Sequence, residues 1–579
     1  YYTNISTVNY EDNNISYFSI VQSGINPGGS IIAMSNTYQT SYGISFRNNV
    51  IHHMQGNGAV TINGINIYAG SNYNNYISGN NMHTFVSNGG SIVGVTFSNS
   101  GRLNFFKNKF YDFLATGANG NIKGVYIASN TDTCQFYNNY IGDLRTPAAS
   151  SLSQAITGIN IQLAYMITKL KVYNNTIMLD ATSTGVNFGT TVFFHGANSS
   201  NTINAVTLKN NIFINTSISK GTGKTIVLER NLATLANYST SSNNNVFYAG
   251  EPSNQQLIYF DGINADQTLA SFITRVGPVR EINSLSIMPN FISTTGSDDL
   301  YLHLDPLSNC DIIGKGNNET FLLSEDFDAQ PRMITSPFTI DIGADETGKS
   351  NIWTGNNGTA WTNAANWSEG IVPDDLGWNI VIPAGSVNEP LIDFGESVQV
   401  KSINIAAGIL LSNRGTLKVG GFIMAPAASI NNMYNGTTEG SIEMNGMCSN
   451  AQTISGKIFY LNNIRNLIIG TDVLVSAIEG EGINITGTLS FGGIANKTLY
   501  TGDNIYLKST ATATANVADI TGNVISGKVT VERYVNTGLL ADGRHPKSWQ
   551  FLAAPTKGQT IFQSWQENGT ILPGFGTII

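Results

Sequence analysis

Three aspartates recur at matching places in the first half of this chain: Asp112, Asp143 and Asp180. They follow a repeated asparagine by 4, 4 and 5 residues, so stacked repeats would line the carboxylates along one edge. Glycoside hydrolysis needs such a carboxylate pair. A polysaccharide lyase needs an Arg or Lys base, sometimes with calcium held by acidic side chains. The plainer reading, solvated turn residues closing each repeat, is preferred here. Arg47, Lys107 and Lys209 precede repeated asparagines and read as outward-facing surface side chains. The acid-rich stretches Asp298-Asp299, Glu325-Asp326-Phe327-Asp328 and Asp341 to Glu346 could hold structural calcium. None follows the alternating calcium-loop pattern, and turn chemistry is preferred. His52, His53, His83, His195, His303 and His545 form no metal-binding motif, and His83 reads as a core or edge residue. Cys134, Cys310 and Cys448 lie far apart without a CxxC, which supports neither a zinc site nor a disulfide framework. On this reading no catalytic, cofactor-binding or metal residue is assigned, no cofactor is expected, and the chain is not an enzyme.

The elements that would position these groups come from a repeat. Asn49, Asn81, Asn108, Asn139, Asn175, Asn211 and Asn245 return with the same neighbours at steps of 32, 27, 31, 36, 36 and 34 residues. Such a period signals a stacked architecture. The segments between them are rich in Ile, Val, Phe, Tyr and Thr and broken by Gly, which is strand-and-turn composition. A second row, Ile65, Val95, Val125 and Ile159, advances by 30, 30 and 34 residues. The expected fold is all-β: a right-handed parallel β-helix with a tight bend at each asparagine, whose amide bonds the copies above and below. Alternation turns Asn66, Thr96, Tyr126 and Asn160 outward as a polar stripe. That stripe suits glycan contact, and suits an ordinary solvated face equally.

Four regions are expected. Residues 1–290 form the β-helix, with a short helix around 269–276, and 291–349 form its closing segment. Residues 350–520 make a second, shorter β-solenoid-like module, and 521–579 begin an incomplete β-rich module. All six tryptophans lie in the last two regions. Strands are expected at 400–405, 415–419, 440–444, 451–454, 464–469, 482–489 and 504–507.

The run Leu302 to Gly314, then Glu325 to Arg332, then Asp341 to Glu346, resembles the closing segment of secreted right-handed β-helix proteins of the pectate-lyase-like superfamily. The run Ile352 to Trp361 through Trp367 resembles the opening of β-rich modules in large bacterial surface proteins. Gly527 to Tyr534, Ser548 to Thr556, Trp565 to Glu567 and Pro573 to Thr577 look like a segment upstream of the sorting domains of type IX-secreted surface proteins. That resemblance implies export by the type IX machinery, and the chain reads as a mature or partial piece of something longer.

Charged residues are 12% of the chain, about half the ~25% usual for soluble domains. That composition suits an extracellular β-protein. The net charge of −9 argues against a nucleic-acid partner, and no apolar run is long enough to span a membrane. The expectation is therefore a stiff, adhesin-like or stalk-like cell-surface protein, with surface glycans or other cell-surface proteins as partners. The alternative is a secreted polysaccharide-binding or polysaccharide-degrading β-helix protein.

Overall fold

The computed structural model describes residues 7–21, 29–36, 43–68, 73–98, 101–128, 133–162, 169–196, 206–306, 308–318, 324–332, 340–432, 439–446, 451–493 and 495–534. The sequence readings at His545, Cys448 and most of 521–579 lie outside them. The chain divides into two compact units, Tyr1–Thr347 and Gly348–Ile579.

The first unit is a parallel β-helix of three stacked sheets. Sheet 1 stacks short strands such as Arg102–Phe106, Cys134–Tyr137 and Leu170–Tyr173. After one tight bend the chain enters sheet 2, with Val50–Asn57, Asn81–Ser87, Lys109–Ala115, Tyr140–Gly142, Thr176–Leu179, Ile212–Asn215 and Val246–Tyr248. Sheet 3 follows with Val60–Tyr68, Ser91–Ser98, Asn121–Ile127, Asn187–His195 and Thr225–Arg230. Like residue lies over like: Ile65, Val95, Val125 and Ile159 are successive partners in sheet 3 and all are buried. Gly94 precedes Val95 because a Cβ there would meet Gly124 O at 2.5 Å. The short helix Leu269–Val276 is present and buries Phe272 and Val276.

The asparagine row runs inside the bend between sheets 1 and 2. Side-chain amides link Asn13 to Asn49, Asn49 to Asn80, Asn80 to Asn108, Asn108 to Asn139, Asn139 to Asn175, Asn175 to Asn211 and Asn211 to Asn245, at 2.7–3.0 Å. The series closes on Glu281, whose carboxylate accepts from Asn245 at 2.9 Å. Two corrections follow. The rung assigned to Asn81 belongs to Asn80, one residue earlier. The left-handed turn is taken by the residue before each rung: Asn48, Gly79, Lys107, Asn138, Asn174, Asn210 and Asn244 all have φ between 51° and 66°. A rung asparagine must aim inward to bond its neighbours, so the tight turn is made one residue earlier. With Asn80 in register, Met82 fills the apolar position and His83 faces outward.

Residues 291–347 pack over the outer face of sheet 2. Its outward positions are polar in early coils (His52, Asn81, His83, Lys109) and apolar later (Ile212, Ile214, Val246). Those three side chains are buried against Leu304, Ile312 and Ile342. The left-handed asparagines clamp the same segment: Asn138 donates to Glu325 O, Asn174 to Asp341 O and Gly343 O, Asn210 to Asn317 O and Asn244 to Lys315 O. Arg332, wholly buried, pairs with Glu346 at 2.9 Å and reaches Asn138 Oδ1 at 3.1 Å. Lys209, read as a surface side chain, is buried, as these later coils are covered.

The second unit is also built of parallel sheets. Trp353, Trp361 and Trp367 lie buried with ring centroids 4.7–6.5 Å apart, anchoring its core with Trp378. The runs expected as single strands at 464–469 and 482–489 are each divided across a corner, ending at Ile464 and Ile485 and restarting at Asn466 and Thr488. Among the described residues Cys134 is a buried free thiol, and Cys310 is disulfide-bonded.

Candidate functional site

The outer face of sheet 2 stays open over the early coils and meets the closing segment at a cleft of about 340 Å³. Its lining includes Asn81, Lys107, Lys109, Asp299, Phe327 and Asp328. The size falls in the range of ligand sites, roughly 300–1,000 Å³. Lys107 stands at the left-handed turn, where its side chain leaves the stack, and its ammonium pairs with Glu325 at 3.0 Å. Lys109 opens the next strand. Its Nζ donates to Asp298 O at 2.7 Å and lies 5.2 Å and 5.4 Å from the Tyr111 and Tyr301 ring centroids. Burial lowers the pKa of Lys109, while Asp299, Asp298 and Asp328 act to raise it.

The same outer face of sheet 2 carries a row of rings. His52, His83 and Tyr111 are lateral partners in sheet 2, stacked with centroids 5.0 and 4.9 Å apart. Tyr17 stacks on His53 at 4.6 Å, and Nδ1 of His53 lies 2.6 Å from Nδ1 of His52. Burial, then the charges of His52 and His53, lowers the His83 pKa to about 4.

Beside this row the acids converge. His53, Thr84, Asp112 and Asp143 occupy a second left-handed column, with φ between 49° and 57°. Arg145 bridges Asp112 and Asp143, the latter at 2.8 Å, and Thr84 donates to Asp112 at 2.8 Å. Burial, the largest influence, raises the pKa of Asp143 despite Arg145, and Asp112 and Asp180 add to the rise. At the cleft wall His303 Nε2 lies 2.5 Å from Asp328 Oδ2, with Asp345 buried behind. Burial alone would lower the His303 pKa. The Asp328 hydrogen bond and the Asp345 and Asp328 charges outweigh it and raise the value to about 9. Burial raises Asp345 to about 7 against the pull of His303.

No protein-family model matches the chain, and no curated protein matches it. Solved structures that match include the PL6 family alginate lyase AlyGC, at 10% identity and a TM-score of 0.14, covering 91% of this chain and 96% of that one. A single-residue mutant of the same lyase matches at 11% identity and TM-score 0.14, covering 92% and 95%. Within this chain the acids expected to stand apart as turn residues meet cationic side chains in two places. The reading of a non-catalytic chain is withdrawn.

Asn66, Thr96, Tyr126 and Asn160 are lateral partners on sheet 3, as alternation requires. The row is half-buried at Asn66, Thr96 and Tyr126, is buried at Asn160, and continues into the buried Phe194 and Glu229. Sequence reasoning did not single out Lys109 and Tyr111, and it read Asp328 as turn chemistry in an acid-rich stretch and His303 as part of no motif. The signal for Lys109 and Tyr111 was the register itself, read one residue off at the neighbouring coil.

Proposed function

We propose that the first unit is a polysaccharide-active β-helix protein that binds and cleaves an acidic polysaccharide on the open face of sheet 2. One observation carries the reading: a cleft on the outer face of sheet 2, the face that also bears the row of rings, gathers Lys107 and Lys109 with Asp299 and Asp328. The rings stack face to face and turn their polar edges outward, so imidazole nitrogens and the Tyr111 hydroxyl follow one another along the face as hydrogen-bonding groups for a linear chain. The Lys107 ammonium neutralises a sugar carboxylate, a requirement for drawing a proton from the carbon beside it. Lys109, whose pKa burial lowers, is proposed to take that proton in its neutral amine form. The neighbouring carbon–oxygen glycosidic bond breaks as the carbon–carbon double bond forms, and the leaving oxygen takes a proton from solvent at the open face. The protein is further proposed to act outside the cell: its low charge and the resemblance of residues 527–534 to type IX-exported proteins support this. No described helix is long and apolar enough to cross a membrane.

The test is a panel of uronate-containing and neutral polysaccharides, followed by ultraviolet absorbance of unsaturated ends and by reducing-end release. Cleavage or binding of an acidic member is expected, with Lys109→Met lowering the rate at least 100-fold and Tyr126→Ser, on sheet 3, leaving it within twofold. If no acidic polysaccharide is bound or cut, or if the two variants behave alike, the proposal is wrong.

A further inference from the structure

Behind Asp328 the cleft wall holds a second constellation. His303, Asp328 and Asp345 each bring one side-chain donor atom within 4.8 Å of the other two. His303 and Asp345 are buried, whereas Asp328 is about one-third exposed and opens on the cleft, which gives an entry path. The imidazole is anchored on its far side, with Nδ1 3.2 Å from Tyr301 O, so Nε2 turns toward the carboxylates. One oxygen of Asp345 accepts from the Leu304 amide at 3.1 Å, which fixes the carboxylate in place.

A separate feature points to a ligand. Tyr140 is wholly buried, and its hydroxyl has no hydrogen-bond partner. Its ring centroid lies 5.2 Å from that of His303 and 4.5 Å from that of Phe327. Tyr140 also packs with Tyr301, Leu302 and Ala344, the chain neighbours of His303 and Asp345, which sets the phenol beside the cluster. Asp326 is already committed, accepting from the Gln330 and Glu346 amides at 2.8 and 2.9 Å. Asp345, Asp328 and His303 remain to face the phenol. A buried hydroxyl without a partner carries a desolvation cost of about 1–3 kcal/mol, and a bound cation would remove it.

We propose that His303, Asp328, Asp345 and Tyr140 form a binding site for a divalent transition-metal ion of the zinc class. The imidazole decides the class, because calcium and magnesium take oxygen donors and zinc takes a nitrogen with carboxylates. Bonds of roughly 2.0–2.2 Å require the donors to draw together, and the partly exposed Asp328 is the one free to move. Ligation replaces the hydrogen bond between His303 Nε2 and Asp328 Oδ2. The site ties the closing segment to Tyr140 of sheet 2. It stands on its own observations and needs no polysaccharide.

The test is calorimetric titration of the chelator-treated full chain with zinc chloride, with calcium chloride in parallel, and cobalt(II) absorption as a signature of nitrogen-and-oxygen ligation. One zinc per chain is expected, with a raised Tm. Asp345→Asn, which removes a ligand, should weaken uptake by at least about 100-fold, the upper end of what loss of an outer-shell group costs. Tyr140→Phe discriminates the role of the phenol. Without metal it should be at least as stable as wild type, since an unpartnered hydroxyl is gone, and with zinc it should lose part of the Tm gain. Three results would overturn the proposal: no zinc uptake, calcium binding in place of zinc, or uptake abolished by His52→Ala yet indifferent to Asp345→Asn and Tyr140→Phe.

Discussion

The doubled asparagines divide two tasks between neighbouring residues. In Asn138-Asn139 and Asn174-Asn175 the second residue bonds its like within the bend, and the first turns the chain and clamps the closing segment. Asn80 has the first of these tasks and Asn81 does not. Asn80 Oδ1 accepts from the Asn49 side chain and amide, and its Nδ2 donates to Phe46 O and Asn108 Oδ1. Asn80→Ala should therefore lower stability by about 1–3 kcal/mol, while Asn81→Ala should stay within about 0.5 kcal/mol. Urea denaturation of the two variants decides it, and equal losses would refute the register. Glu229 makes a second prediction at this scale. It is buried on sheet 3 with Thr191 Oγ1 donating at 2.5 Å, and burial raises its pKa from 4.5 to about 7. The fold thus holds a proton that the unfolded chain releases. The stability this gives is full below pH 4.5 and is lost as pH rises through 7. At roughly 1.4 kcal/mol per pH unit the loss is on the order of 3 kcal/mol. Glu229→Gln should flatten the dependence of Tm on pH across that window. An unchanged slope would mean that Glu229 ionises without penalty.

At the scale of elements, the closing segment decides where the open face ends. Its anchor is Arg332, which is wholly buried against Glu346 and Asn138. Arg332→Met leaves the Glu346 carboxylate buried without its partner, a change that typically costs about 3–5 kcal/mol. The expected outcome is early release of residues 291–347 in hydrogen exchange, with dye binding to the exposed Ile212, Ile214 and Val246. Exchange that loosens sheet 3 equally would show that the segment is not a separate layer. The outward row of sheet 2 carried this information in the sequence. Met82-His83 gives way to Ile212-Phe213-Ile214, a run apolar on both faces, which in a solenoid means that something covers the outside. The assignment of Asn81 to the ladder hid it, because a slip of one residue exchanges the two faces of a strand.

At the scale of the molecule, each unit has its own buried core: one built from Ile31 to Val276 and one from Trp353 to Ala515. Two cores unfold as two cooperative blocks, so calorimetry should resolve two transitions, and a chain ending at Thr347 should retain the upper or lower one intact together with any polysaccharide activity. A single transition shared by both, or loss of all structure on truncation, would mean that the cores are not independent. The polypeptide therefore devotes its first unit to the candidate chemistry and repeats the same stacking principle, with shorter strands and tryptophan anchors, in its second.

The repeat period and the apolar alternation determined the β-helix and the second solenoid, because stacking like on like is a local rule written in every coil. The polar early rows and apolar late rows were written there too, although they read correctly only in the right register. The meeting of His303, Asp328 and Asp345 with Tyr140, and of Lys109 with Asp298 and Tyr301, was settled by the tertiary structure alone. Asp298, Tyr301, His303, Asp328 and Asp345 lie on a segment that leaves the repeat and folds back onto Lys109 and Tyr140, between 163 and 205 residues earlier, and no periodicity constrains where such a return will land.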